Sequence, residues 1–140
     1  TLCMAWPAVF AASFLSAFFF GDGDGRDNAL AVQLVTQTDP MATLALFGSA
    51  ALLAPIFEEP LFRGFLFGRL RRRMSPEAAA LVSGLVFGAA HMSLPEVLPL
   101  AALGYTLAIA YEYSGDLAVP VMAHALWNVS NAAALLLLHG

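Results

Sequence analysis

Residues 41–74 read MATLALFGSAALLAPIFEEPLFRGFLFGRLRRRM, and this stretch decides the class of the protein. Its first half is almost free of polar groups, and its end carries Arg69, Arg71, Arg72 and Arg73. A helix over this length, at about 1.5 Å per residue, exceeds the roughly 30 Å hydrocarbon thickness of a bilayer. Asp39 followed by Pro40 supplies the start, with Asp as N-cap and Pro at the first helical position. Pro55 and Pro60 each remove a backbone hydrogen bond, so a kink or break is expected around Glu58 and Glu59.

The flanking segments have the same apolar character. Residues 2–20 are apolar and aromatic, 21–28 (GDGDGRDN) form a loop, and 29–38 are semi-polar and too short to span. Ser75, Pro76 and Glu77 open a second long segment that runs to about residue 92. A short turn at 93–96 leads to a span over 97–113, interrupted by Pro99 and Gly104, and a turn at 114–116 leads to a last span over 117–138. About five spans are expected, making an all-α, polytopic transmembrane helix bundle. Residues 1–40 form an N-terminal span with an extracytoplasmic loop, and residues 41–140 form the core. No basic n-region or cleavage site precedes the first apolar run, so the chain reads as a fragment lacking its N-terminus.

Composition agrees with a lipid environment. Hydrophobic residues make up 60% of the chain and charged residues 11%, with a mean hydropathy of +0.77. A soluble domain carries roughly a quarter charged residues. There is no Lys, and six Arg stand against ten acidic residues for a net charge of -4, which speaks against nucleic acid as a partner. The Arg run reads as a topology signal that places residues 69–73 in the cytoplasm and the loop before Pro40, with four Asp and one Arg, outside. The single Cys3 excludes an internal disulfide.

Six polar groups fall inside the expected spans: Glu58, Glu59, Arg63, His91, His124 and Asn128. Ionisable groups cost roughly 2.5–3.5 kcal/mol each at the centre of a membrane helix, so they persist where they face a protein interior and act there. Glu59 and Arg63 are i,i+4 and can pair, which makes them structural. Glu58 has no local partner and is the candidate general base. Phe87 lies one turn before His91 on the same face, and His124 and Asn128 share a face of the last span. Depths along the helices place Glu58, His91, His124 and Asn128 within the hydrocarbon layer, where tilted helices could bring them together.

The chemistry open to such a set is limited. A carboxylate and an imidazole can hold and deprotonate a water, and a second imidazole and an amide can donate to an oxyanion. Glu58, His91 and His124 could equally supply a zinc site, although no HExxH motif is present.

EEPLFRG at 58–64, FGAAH at 87–91 and HALWN at 124–128 resemble the EExxxR, FxxxH and HxxxN motifs of the CPBP family, which contains CAAX proteases and bacteriocin-processing enzymes. The motifs occur in the family's order on successive spans, and the resemblance covers residues 41–138. It implies an intramembrane endopeptidase with a conical polar cavity, acting on a membrane-associated or lipid-modified peptide or protein in a bacterial plasma membrane. It implies that Glu58 and His91 activate water while His124 and Asn128 stabilise the oxyanion, without a metal; zinc on Glu58, His91 and His124 is the alternative. A non-catalytic immunity or scaffold protein keeping the same cluster is the second reading. A proton-coupled transporter is the third, but the inverted repeat it would carry is absent from the sequence.

Overall fold

The computed structural model describes residues 36–139 together with residues 9, 11, 12 and 15. The expected span over 2–20, the loop over 21–28 and nearly all of the 1–40 segment therefore lie outside the described residues. Among the described residues every element is helical: α1, Pro40–Leu70; α2, Pro76–Ala90; α3, Leu94–Ser114; and α4, Ala118–His139. Two of these, α1 and α3, are long and apolar enough to cross a membrane, and α2 is apolar but shorter. The protein is an all-α membrane protein, and Leu44, Leu52, Phe57, Leu61 and Phe65 project from α1 as lipid-facing side chains do.

The first helix begins as its sequence dictates, with the Asp39 carboxylate accepting from the Met41 amide at 3.0 Å and Pro40 at the first position. The break expected at the two prolines does not occur. The helix runs through both, with π-helical stretches at Ser49–Leu53 and Pro60–Phe67. A proline deprives the carbonyl four residues earlier of its donor, whereas π-helical bonding pairs a carbonyl with the amide five residues on. The widened turns thus absorb Pro55 and Pro60 and keep Glu58, Glu59 and Arg63 on one continuous rod.

Ser75 caps α2, its hydroxyl accepting from Ala78 N at 3.2 Å. The helix stops at Ala90, short of the expected end, because Met92 adopts φ 54°. The third helix starts at Leu94, ahead of the expected residue 97, with Pro95 in its first turn. It continues through Pro99.

Gly104 does not interrupt α3; it lets α3 meet α2. A methyl group added at Gly84 would lie 2.6 Å from Ala101 O, and one at Gly104 would lie 2.9 Å from Gly84 Cα. The two backbones therefore touch, as small residues allow between membrane helices. Val9, Phe62, Phe87, Leu103 and Leu107 form one buried cluster, and Phe67, Ala79, Ala80 and Ala108 another. At the arginine end, Arg71 Nε and Nη2 both lie 2.9 Å from Glu112 Oε1, which ties α1 to the end of α3.

Candidate active site

Glu59 is the hinge of the site. Its Oε1 accepts from Arg63 Nη1 at 2.9 Å and from His124 Nδ1 at 2.7 Å. Glu59 and Arg63 are fully buried, and His124 is 3% exposed. Arg63 Nη2 donates onward to Gly104 O on α3 at 3.1 Å. Its guanidinium also lies 4.6 Å from the centre of the Phe87 ring, a cation–π distance. The side chain that the i,i+4 spacing marks as Glu59's partner thus also binds the α2–α3 pair to α1.

The Glu59 bond decides how His124 presents itself. The oxygen that receives the Arg63 proton donor acts as an acceptor, so His124 Nδ1 carries a hydrogen and Nε2 points away from Glu59. Nε2 lies 3.9 Å from Glu58 Oε2, too far for a hydrogen bond. Glu58 Oε2 is buried and makes no hydrogen bond among the described residues, although the Glu58 side chain as a whole is 30% exposed. Glu58 and His124 thus form a facing pair with a gap between them.

The Phe87 ring organises the remaining groups. Its centroid lies 5.0 Å from that of Phe62, 4.9 Å from His91 and 5.5 Å from His124, in edge-to-face arrangements. His91, at the C-cap of α2, is exposed and bonds through Nδ1 to the Phe87 carbonyl at 2.9 Å. It approaches the cluster through the Phe87 ring and not through a hydrogen bond to Glu58. Asn128 is half-buried and donates from Nδ2 to Ala50 O at 2.9 Å, in the first π-helical stretch of α1.

The structure therefore brings Glu58, Glu59, Arg63, Phe87 and His124 together, sets His91 against the same ring, and ties Asn128 to α1. Glu58, His91 and His124 were the set a zinc ion would require. Each histidine keeps Nε2 free after its Nδ1 bond, but among the described residues no three His, Cys, Asp or Glu side chains are placed to hold one ion.

Some of this was not readable from local spacing. The Glu59–His124 bond joins residues 65 apart, and no short-range pattern announces it. Ala50 carries no side-chain signal at all. The Gly84-x-x-x-Gly88 pattern, by contrast, is a recognised small-residue contact signal, and it marks the face on which α3 packs.

A family model described as "Type II CAAX prenyl endopeptidase Rce1-like" matches residues 40–130, a stretch that contains every residue of the site. The Bacillus subtilis (strain 168) protein named "Putative membrane peptidase YdiL" is 31% identical over 117 residues, covering 84% of this chain and 46% of its own length. The Staphylococcus aureus (strain USA300) protein named "Membrane-embedded CAAX protease MroQ" is 31% identical over 84 residues, 56% of this chain and 34% of its own. An Escherichia coli protein of 24.3 kDa, named as uncharacterized, is 38% identical over 78 residues, 52% of this chain and 36% of its own. The chain thus spans half or less of the length of these relatives. No solved structure matches it.

Proposed function

Because the chain belongs to the type II CAAX prenyl endopeptidase Rce1-like family, we propose that it is an intramembrane endopeptidase. It hydrolyses a peptide bond of a membrane-associated or lipid-modified protein, with Glu58 as general base. The observation that carries this reading is the facing pair of Glu58 and His124, with His124 anchored from behind by Glu59. A water between His91 and Glu58 attacks the scissile carbonyl carbon and gives its proton to Glu58. The oxyanion that forms is held by His124 and Asn128. Its collapse breaks the C–N bond, and the leaving amine takes the proton from Glu58.

The hydrogen count supports these roles. His91 Nδ1 donates to a carbonyl, which leaves an Nε2 lone pair suited to accepting from water. His124 Nδ1 donates to Glu59, so an oxyanion role requires a second hydrogen on Nε2, that is, the imidazolium. Two carboxylates, Glu58 and Glu59, then stand against two cations, Arg63 and His124. A buried cluster of zero net charge avoids an uncompensated ion. Asn128 spends one Nδ2 hydrogen on Ala50 O and keeps a second for the oxyanion.

The remaining parts of the proposal are a recess open to water at the partly exposed Glu58 and exposed His91, a multi-pass bacterial plasma-membrane location, and a cytoplasmic position for residues 69–73. Cysteine labelling of intact cells at residue 72, in a Cys3→Ser background, should be blocked from outside.

The decisive experiment uses purified protein in liposomes with peptides carrying or lacking a lipidated cysteine, read by mass spectrometry. Wild type should cleave. Glu58→Gln should still fold, because Glu58 makes no hydrogen bond among the described residues and only one charge of the cluster is lost, yet cleave nothing. A folded Glu58→Gln protein that still cleaves would remove Glu58 as the base. A wild type that cleaves nothing would favour the immunity or scaffold reading.

A further inference from the structure

Met92 is the one non-glycine residue with positive φ among the described residues, at 54°. This left-handed region is disfavoured for side chains with a Cβ, and glycine or asparagine usually occupies it at helix ends. A methionine there is unexpected, and the residue is 91% exposed. Packing of the side chain is not what holds this conformation.

The left-handed residue follows directly on His91. As the chain turns left-handed at residue 92, the last turn of α2 tightens. His91 N donates to Gly88 O at 3.2 Å and Met92 N to Ala89 O at 3.1 Å, each three residues back. The Phe87 carbonyl loses the amide four residues on, its regular α-helical donor. His91 Nδ1 lies 2.9 Å from that carbonyl and takes the amide's place. A carbonyl only accepts, so the hydrogen is on Nδ1 and Nε2 keeps its lone pair. The same bond sets the ring against Phe87, at 4.9 Å between centroids.

We infer that Met92 is a positioning residue: through its left-handed backbone it holds His91 as the Nδ1–H tautomer, with Nε2 left to accept a hydrogen from water. The inference rests on the reading of His91 as the water-holding imidazole, but the tautomer itself can be read without any substrate. Backbone conformation is what matters at position 92, so residues that tolerate the left-handed region should serve and β-branched ones should not.

The test compares Met92→Gly and Met92→Asn with Met92→Val and Met92→Ile in the full chain. Histidine-selective 15N spectra in micelles, recorded with the rings neutral, assign each tautomer, and the chain has only three histidines to assign. Wild type and the Gly and Asn variants should show His91 as Nδ1–H with unchanged kcat. The Val and Ile variants should lose that signature and lose kcat on the order of 10²-fold at unchanged KM, the scale of a misplaced acid–base group. His91 found as the Nε2–H tautomer in wild type would overturn the inference. So would a Gly variant that loses the signature, or Val and Ile variants that keep both signature and rate. If the β-branched variants do not fold, the Gly and Asn spectra decide alone. A wild type with the Nδ1–H signature but no peptidase activity would support the role of Met92 and sink the peptidase reading.

Discussion

Asn128 Nδ2 donates to the carbonyl oxygen of Ala50 at 2.9 Å, so the last helix is hydrogen-bonded to the first π-helical stretch of α1. A π-helical turn offsets carbonyls from their regular amide partners, which leaves one open to a donor from another helix. The amide nitrogen has two hydrogens, one for this bond and one for a substrate oxyanion. Asn128→Asp keeps the size and removes both donors. It should cost about 1–3 kcal/mol of stability from the unsatisfied Ala50 carbonyl, and about 10²–10³ in cleavage rate from the oxyanion. Thermal unfolding and single-turnover cleavage measure the two separately. Lost stability with an unchanged rate would make Asn128 a helix clamp only.

Arg63 joins three elements at once: Glu59 on α1, Gly104 O on α3 and the Phe87 ring on α2. Arg63→Ala leaves Glu59 buried with His124 as its one remaining partner and should cost about 3–5 kcal/mol. Arg63→Lys keeps the charge but lacks the planar fork that reaches two acceptors, so its loss should be smaller yet clear. Melting temperatures in detergent give the order wild type, Lys, Ala. A Lys variant as stable as wild type would mean that charge alone is needed.

The membrane class was legible because a span is a local property, written in residues 41–74 without reference to the rest of the chain. The Glu59–Arg63 pair was legible for the same reason, since four residues make one helical turn. The hydrogen bonds between helices were not. The bond from His124 to Glu59 and the bond from Asn128 to Ala50 depend on how four rods pack, and spacing within one rod carries no such information. Proline rules overstated the break in α1, because π-helical turns provide a way through that a count of lost hydrogen bonds does not anticipate. Met92 gave no signal, since its conformation runs against its residue type.

Glycine positions offer a contrast between contact and open space. A methyl at Gly88 would lie 2.4 Å from Val97 O and 2.9 Å from Ala101 N, both backbone atoms that cannot rotate away. Gly88→Ala should force α2 and α3 apart, costing about 1–3 kcal/mol and disturbing the Phe87 ring one residue earlier. A methyl at Gly48 meets nothing within 4 Å. Gly48→Ala should stabilise α1 by up to about 1 kcal/mol through helix propensity alone. Opposite signs in thermal unfolding are expected, and a neutral Gly88→Ala would show that the α2–α3 contact is looser than described.

The last prediction concerns metal dependence and follows from where the two imidazoles stand. A zinc ion shared by Glu58, His91 and His124 would need one nitrogen from each ring aimed at a common point near the Glu58 carboxylate. His124 Nε2 does face Glu58 Oε2, at 3.9 Å. Among the described residues, however, the three groups are not placed to share one ion. The metal-free mechanism therefore predicts that chelator-treated, metal-depleted protein keeps its full cleavage rate, and that elemental analysis finds no stoichiometric zinc. It also predicts unequal losses among variants. Glu58→Ala and His91→Ala should leave essentially no activity, because nothing then activates water, while Asn128→Ala should retain a residue of about 10⁻²–10⁻³, the usual effect of one oxyanion donor. A metal mechanism predicts that Glu58→Ala, His91→Ala and His124→Ala each remove the ion and the activity together. Stoichiometric zinc, with activity lost on chelation and restored by zinc alone, would overturn the metal-free reading.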